Sequence, residues 1–373
     1  IRDQLHLPDV LAVMEMENLS TLEQLASKIG SDAIAVGQPD PHYVAYLQEG
    51  NDVGGIDVGF LVKTADVAGG TPRVEVVDVT QFGKDTTWID PSDNSASLLN
   101  DRPPLLLRAI VHYADGRSFP VSALAVHQRS LNGISDETVS GATTAGDRVR
   151  RKRQAQAEYL ANLVQGRETA DPAEHLVVLG DFNAFDFNDG YVDPMGVVTG
   201  LPTPDDQTVV PGDGVDLVDP DLLNLHYLPV ATQRYSYVFD GQAQSLDHIL
   251  IDQALGTDVA AYDLDHARMN ADFPETNRND ANSPSRLSDH DPAIAYFAVP
   301  TVEHADLEMS ASASVSTITM GHPIQFGCTV ANHGPDDAMN PGVGFAFDLA
   351  LPDLQVTSVP NGWTCGSPQI SGD

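Results

Sequence analysis

The stretch from His175 to Asn183, His-Leu-Val-Val-Leu-Gly-Asp-Phe-Asn, constrains the fold more than any other part of the chain. Its apolar run from Leu176, rich in β-branched and aliphatic residues, has the pattern of a buried strand. Gly180 lets the backbone turn sharply where that run ends. Alternation then puts Asp181 and Asn183 on one side and aims Phe182 the other way, into the core. A carboxylate and an amide side by side at the carboxyl end of a buried strand are costly unless they meet a partner. Taken alone, Gly-Asp-x-Asn is a turn capped by its own side chains.

Four other stretches end the same way. Val10–Met14 runs into Glu15, Val121–Val126 into His127, and Leu246 into Asp247 and His248; Arg286-Leu287-Ser288-Asp289-His290-Asp291-Pro292 closes the series. One polar strand end is ordinary. Five of them, supplying carboxylates, an amide and histidines, would build a polar site along one edge of a sheet core. Carboxylate and amide oxygens without thiols suit a hard cation such as Mg²⁺, Mn²⁺ or Ca²⁺. Histidines beside aspartates suit a general base that its partner orients and makes more basic. Together these groups form a constellation for hydrolysing phosphate esters.

The bulk numbers bound the rest. The 373 residues suffice for one large domain plus a smaller module. No apolar run approaches the ~20 residues that span a bilayer. The balance of 19 Lys and Arg against 54 Asp and Glu gives a net charge of -35. Such a surface repels nucleic acid at long range, favours divalent cations and tolerates a salty or extracellular medium; a solubility-selected acidic surface explains it equally well. The only cysteines, Cys328 and Cys365, exclude a catalytic or metal-binding thiol from the main body. A disulfide in a small exported module and two free buried thiols both remain open. The chain opens on Ile1 rather than Met and ends abruptly at Asp373, as expected of a fragment or processed product, so the missing signal peptide says nothing about location.

Along the chain, strands are expected at 9–14, 43–48, 56–62, 73–79, 104–112, 119–126, 235–239, 245–251 and 292–299. A helix is predicted from Leu19 to Ile29, capped by Ser20 and closed by Gly30. The clearest helix, Asp147 to Gln165, opens on Arg148, Arg150, Arg151, Lys152 and Arg153. That cluster reads as a solvated face paired with nearby acids, or as a phosphate-backbone contact. Residues 186–234 are loop-rich. Strands with interspersed helices make residues 1–299 an α/β domain; from 300 the alternating Ser, Ala, Val and Thr residues, with no helix signal, make 300–373 a small all-β module.

The ordered set of Glu15, Val126-His127-x-x-Ser130, Gly180-Asp181-Phe182-Asn183, Leu246-Asp247-His248-Ile249 and Ser288-Asp289-His290-Asp291-Pro292 resembles the endonuclease/exonuclease/phosphatase (DNase I-like) superfamily over residues 1–299. More narrowly, Met14-Glu15-Met16-Glu17-Asn18, Arg234 to Gly241 and Asn270-Ala271-Asp272-Phe273-Pro274 resemble its large secreted bacterial nucleases. The tail, with Val330 to Asp336, is similar to the immunoglobulin-like repeats of bacterial surface and secreted proteins. The resemblance implies a four-layer α/β sandwich, two packed mixed β-sheets flanked by helices, followed by a partial Ig-like module. It implies export, a divalent metal (Mg²⁺, with Mn²⁺ or Ca²⁺ as alternatives) and DNA or RNA as substrate, with cell-surface association through the tail.

It also implies roles for residues. Glu15 would bind the metal, with Asp289 a second or metal-proximal ligand. His290 would be the general base on water, oriented by Asp247. Asp181 would engage water, metal or leaving group, and Asn183 the scissile phosphate. His127 would stabilise or protonate phosphate oxygens, with Asp57 a candidate carboxylate partner. Arg102 would contact a substrate phosphate, and Tyr237 and Asn270 would line the substrate site, Tyr237 by stacking on a base. The family's first strand carries a metal-proximal asparagine that no residue before Ile1 supplies here. A sphingomyelinase or inositol-phosphate phosphatase on the same scaffold is the second reading, and a non-catalytic adhesion protein the third. Singly, each residue has a plainer explanation: Glu15 as a helix-start acid, His127 as a satisfied semi-buried histidine, Tyr237 as packing, Asp289-His290-Asp291 as a turn.

Overall fold

The computed structural model describes residues 1–278, 280, 282–301, 306–317, 319, 321–333, 342–344 and 355–359. The chain divides into two compact units, Ile1–Pro300 and Thr301–Asp373.

The first unit opens with β1 (Val10–Met16) and α1 (Leu19–Ala35). The helix cap is Asn18, whose side chain accepts from the Thr21 amide at 2.9 Å, rather than Ser20. Gly30 does not end the helix either. A Cβ there would lie 2.6 Å from Asp40 Oδ1, so the missing side chain serves close packing in mid-helix. Next come β2 (Tyr43–Leu47), β3 (Asp57–Lys63), β4 (Val74–Gln81), β5 (Leu105–His112) and β6 (Ser118–His127). The long α2 (Ala145–Ala170), capped by Thr144, leads to β7 (Leu176–Asp181) and the short α3 (Pro194–Thr199). Then follow β8 (Leu223–Asn224), the hairpin of β9 (Tyr237–Phe239) and β10 (Gln242–Gln244), β11 (Asp247–Ile251), α4 (Gln253–Asp258), β12 (Ala261–His266) and β13 (Ala293–Ala298).

Six strands form a mixed sheet in the order β8-β11-β7-β6-β5-β4. Only β6 and β7 run parallel, joined by the α2 crossover; every other neighbour is antiparallel. One face carries Leu106, Leu124, Val126, Leu176, Val178 and Leu250. These residues pack on Ala157, Leu160, Ala161 and Val164 of α2 and on Met195, Val197 and Val198 of α3. On the opposite face, Leu105, Leu107, Ala109, Ala123 and Ala125 meet Val58, Phe60 and Val62 of β3. Also on that face, Val177, Ile249 and Ile251 meet Leu264 of β12 and Ala293 and Ala295 of β13. Beyond β3, Leu22, Ala26 and Ile29 of α1 cover Leu61 and Tyr43.

The structure is therefore a mixed α/β fold with one large mixed sheet. The second layer corrects the sequence-based picture: it is not a mixed sheet but two antiparallel pieces, β1-β3-β2 and β12-β13, with no ladder between them among the described residues. Burial against a common sheet face holds both pieces, so neither needs the other's hydrogen bonds. Strand β12 was not foreseen, although Tyr262, Leu264 and His266 alternate with Asp263 and Asp265 as a half-buried strand should.

In the second unit β14 (Leu307–Ala313) pairs antiparallel with β15 (Phe326–Asn332). Cys328 is a free thiol; Cys365 lies outside the described residues.

Candidate active site

Strand register assembles the site. Along the parallel β6–β7 ladder His127 stands opposite Asp181, and along the antiparallel β7–β11 ladder Asp181 stands opposite Asp247. Three adjacent strands thus bring two carboxylates and an imidazole to one row at one end of the sheet. Gly180 makes the approach of β1 possible. Its φ is 140°, and a Cβ would lie 2.1 Å from the Val126 carbonyl oxygen and 2.6 Å from Met14 Cε.

The loop before β13 adds His290, whose Nδ1 lies 2.6 Å from Asp247 Oδ2. Asp181, Asp247 and His290 each offer a ligand atom within 4.8 Å of the other two. Asp181 is buried and accepts from the Asn183 amide (2.7 Å) and Asn183 Nδ2 (2.9 Å), with His127 Nε2 3.4 Å from its Oδ2. Asn183 adopts the left-handed backbone conformation at φ 50°, and Arg153 holds it there by donating to its carbonyl at 2.6 Å.

Electrostatics split the titrating groups. Burial first, and then the Asp247 charge, pushes the Asp181 carboxyl up to about 7. Burial opposes the imidazolium of His290, but the Asp247 hydrogen bond and the charges of Asp247, Asp181 and Asp289 outweigh it and raise the ring to about 9. His127, 5% exposed, goes the other way: burial, then Arg102 and His290, hold it down to about 3. Its Nδ1 has no hydrogen-bond partner among the described residues.

Several residues stand differently from their expected roles. Arg102 is spent inside the protein: it donates to the carbonyls of His127 (3.2 Å) and Gln128 (3.0 Å) and pairs with Asp52 at 3.3 Å. These bonds clamp the end of β6. Asn270, 5% exposed, donates to the His290 carbonyl at 2.7 Å and accepts from the Leu287 amide at 3.1 Å. Its side chain fastens the loop that carries His290. Asp57 does not meet His127; its carboxylate accepts from the Gly50 amide at 2.7 Å. Asn183 gives its amide hydrogens to Asp181 and to the Gln128 carbonyl (3.1 Å), so a phosphate contact would have to displace one of them.

Glu15 and Asp289 lie outside the three-residue group. Glu15 is exposed at a bulge in β1, at φ 58°, and Asp289 sits 3.6 Å from Arg278. The Tyr237 ring lies 4.7 Å from the His290 ring, and Phe239 stacks on Tyr237 at 6.5 Å. All five basic residues opening α2 are paired: Arg148 with Asp90, Arg150 with Glu137, Arg151 with Asp147, Lys152 with Asp101 and Arg153 with Asp189.

Two positioning residues escaped the sequence reading. Ser236 is fully buried; its Oγ accepts from the Asp247 amide at 3.2 Å, and its carbonyl accepts from the Asp291 amide at 2.7 Å. Asp291 in turn accepts from the amides of Met269, Asn270 and Ala271. A serine between two tyrosines carries no signal for this, whereas Asp291 stood inside a motif whose other members drew the attention.

No family model matches the chain, and no curated protein matches it. Solved structures do. Truncated TDP2 from Caenorhabditis elegans is 14% identical over 78% of this chain and 85% of its own, at a TM-score of 0.41. An AP endonuclease from Archaeoglobus fulgidus is 17% identical over 78% of this chain and 90% of its own, also at 0.41. An endonuclease/exonuclease/phosphatase family protein from Bacteroides thetaiotaomicron is 13% identical over 80% of this chain and 86% of its own, at 0.40.

Proposed function

We propose that the unit Ile1–Pro300 is a divalent-metal-dependent phosphodiesterase that hydrolyses DNA, or RNA, by attack of water on the phosphodiester. One observation carries the reading: the Asp247–His290 pair at 2.6 Å is set beside the buried Asp181, which His127 and Asn183 contact from the other side. With Nδ1 tied to Asp247, the pair fixes the ring's orientation and leaves Nε2 for water; held up to about 9 by its carboxylate neighbours, the ring is protonated at neutral pH and takes a proton from water in the neutral form, whose share grows as the pH rises toward that value. Asp181, held near the neutral form by burial, can donate to or accept from the reacting oxygens. Neutral His127 can hydrogen-bond a phosphate oxygen without adding a charge.

The donors fit a hard cation of the Mg²⁺ class, with Mn²⁺ or Ca²⁺ as alternatives. They are carboxylate oxygens with no thiol in the unit, and the charge of Asp247 raises the cost of ionising Asp181. Asp181 and Asp247, with Glu15 and Asp289 at the edge, would hold it, and when bound it would neutralise phosphoryl oxygens and the leaving group. Export, and surface association through an Ig-like second unit, rest on the sequence resemblance alone.

A second reading has its own support. A groove of about 700 Å³ lined by Phe187, Met195, Leu201, Tyr227 and Leu228, on a chain of net charge -35, suits an apolar or weakly charged phosphodiester such as sphingomyelin. Assays of plasmid DNA, RNA, sphingomyelin and inositol phosphates side by side, with Mg²⁺ and with chelator, separate the two. Cleavage of nucleic acid that chelator and His290→Ala both abolish supports the proposal. Turnover of lipid alone would replace it with the second reading, and no turnover at all would favour an adhesion protein.

A further inference from the structure

Beside the Asp247–His290 pair, the hairpin β9–β10 presents a face of rings and amides. Its two-residue loop, Asp240 (φ 47°) and Gly241 (φ 77°), has both φ angles positive, the geometry that closes the tightest hairpins. Alternation puts Tyr237 and Phe239 on one face. The register sets Gln244 opposite Tyr237 and Gln242 opposite Phe239, so both glutamines share that face. Tyr237 lies 4.7 Å from the His290 ring; Phe239 lies 6.5 Å from Tyr237, within 19° of parallel, and is 56% exposed. Neither glutamine side chain has a hydrogen-bond partner among the described residues. The platform is fixed to the catalytic pair through Ser236, which precedes Tyr237 and takes hydrogen bonds from the Asp247 and Asp291 amides.

Cationic groups are nearly all committed elsewhere. Among the described residues, every Lys and Arg side chain except those of Arg108 and Arg129 is engaged in an ion pair or a hydrogen bond. Arg108 stands in mid-β5, opposite Ser122 and well short of His127 along β6. Arg129, half-buried, follows directly on His127-Gln128. Its amide donates to Gln156 Oε1 at 2.7 Å. Arg153 Nη1 donates both to its carbonyl (2.8 Å) and to that of Asn183 (2.6 Å). One guanidinium nitrogen thus ties the Arg129 backbone to the Asn183 backbone, at the edge of the catalytic row.

Resting on the nuclease reading above, we propose that the substrate is single-stranded nucleic acid: one backbone phosphate pairs with Arg129, and unpaired bases stack on Phe239 and Tyr237 within reach of the Gln242 and Gln244 amides. Bases in a duplex keep their faces stacked on one another and their pairing edges occupied, so only unpaired bases can use this hairpin. Duplex is held chiefly by neutralising phosphates with Lys and Arg. A chain of net charge -35, with one uncommitted guanidinium at the site, does not supply that. Stacking needs no charge and strengthens binding about tenfold or more per base. The amides both donate and accept, so they serve any base edge without selecting one.

The test compares a short labelled single strand, the same strand built with base-free residues, and its duplex. Cleavage is followed with Mg²⁺, and binding by fluorescence anisotropy to Asp181→Asn protein. The intact single strand should be cut and bound about tenfold better than either competitor. Phe239→Ala should bring the intact and base-free strands to within about twofold of each other. Between about 50 and 200 mM salt, binding should weaken by no more than about threefold, the share of one phosphate, and Arg129→Gln should abolish that weakening. Duplex and single strand handled alike, a salt dependence worth several phosphates, or discrimination that survives Phe239→Ala would each overturn the proposal and leave the nuclease reading standing. Neither binding nor cleavage of any nucleic acid would sink both.

Discussion

The two histidine–aspartate contacts of the site share a chemistry and differ in everything that sets a proton. His290 meets Asp247 at 2.6 Å, with its side chain 25% exposed; His127 meets Asp181 at 3.4 Å, with its side chain 4% exposed. The first ring faces three carboxylates and is lifted to about 9. The second has Arg102 and His290 nearby, sits beside a carboxyl that itself favours the neutral form, and falls to about 3. Burial disfavours both imidazolium ions, so the balance of neighbouring charge separates them. Two similar side chains of one site are thereby divided into a basic partner and a neutral one.

Removing His290 should break the comparison most severely. His290→Ala is expected to lower kcat by roughly 10³-fold, within the range of a lost general base; a loss of less than about tenfold would transfer the role elsewhere. Next comes Asn270→Ala. It leaves the Leu287 amide and the His290 carbonyl without their partner, at about 1–3 kcal/mol for each group that stays buried. Chemical denaturation should show that loss, and kcat should fall about tenfold while KM stays nearly constant. A rise in KM alone would mean that Asn270 binds substrate after all.

Asp247→Asn sharpens the contrast. In metal-free protein followed by NMR, His290 should fall back from about 9 toward the ordinary range near 6.5, while His127 does not move. Coincident shifts in both rings would show that they titrate as one unit. The smallest effect is on stability against pH. His290, raised on folding, contributes stability that is complete below about 6.5 and is lost as pH climbs through about 9. His127, depressed on folding, contributes stability that is complete above about 6.5 and is lost as pH falls toward about 3. Unfolding of His290→Gln and His127→Gln proteins should therefore change slope on opposite sides of neutrality; slopes altered on the same side would contradict the split.

The sequence showed the strands that end in chemistry, because apolar runs stopped by Glu15, His127, Asp181 and Asp247 are local patterns. It also showed α2, and offered ion pairing on a solvated face as one of two readings of its basic cluster; the pairs are present, but Arg150, Lys152 and Arg153 are buried rather than solvated. It could not show which polar groups were already committed. Arg102 and Asn270 resemble substrate contacts until their carbonyl partners, brought in from residues 127–128 and 290, are known. Ser236 lay beyond reach for the same reason, because partners distant in sequence define it; β12 did not, since Tyr262, Leu264 and His266 alternate locally with Asp263 and Asp265. The split of the second layer into two pieces depends on strand pairing, which the alternation of single strands does not encode.

Gly180 is a keyhole left open by a missing methyl. A Cβ there would run into the Val126 carbonyl oxygen on the neighbouring strand and into the Met14 methyl reaching over from β1. The methyl, at the tip of a flexible side chain, could swing away; the backbone oxygen could not. An alanine would therefore have to part β7 from β6 one residue before the paired positions of Asp181 and His127, so the alignment of those two side chains rests on a group that is not there.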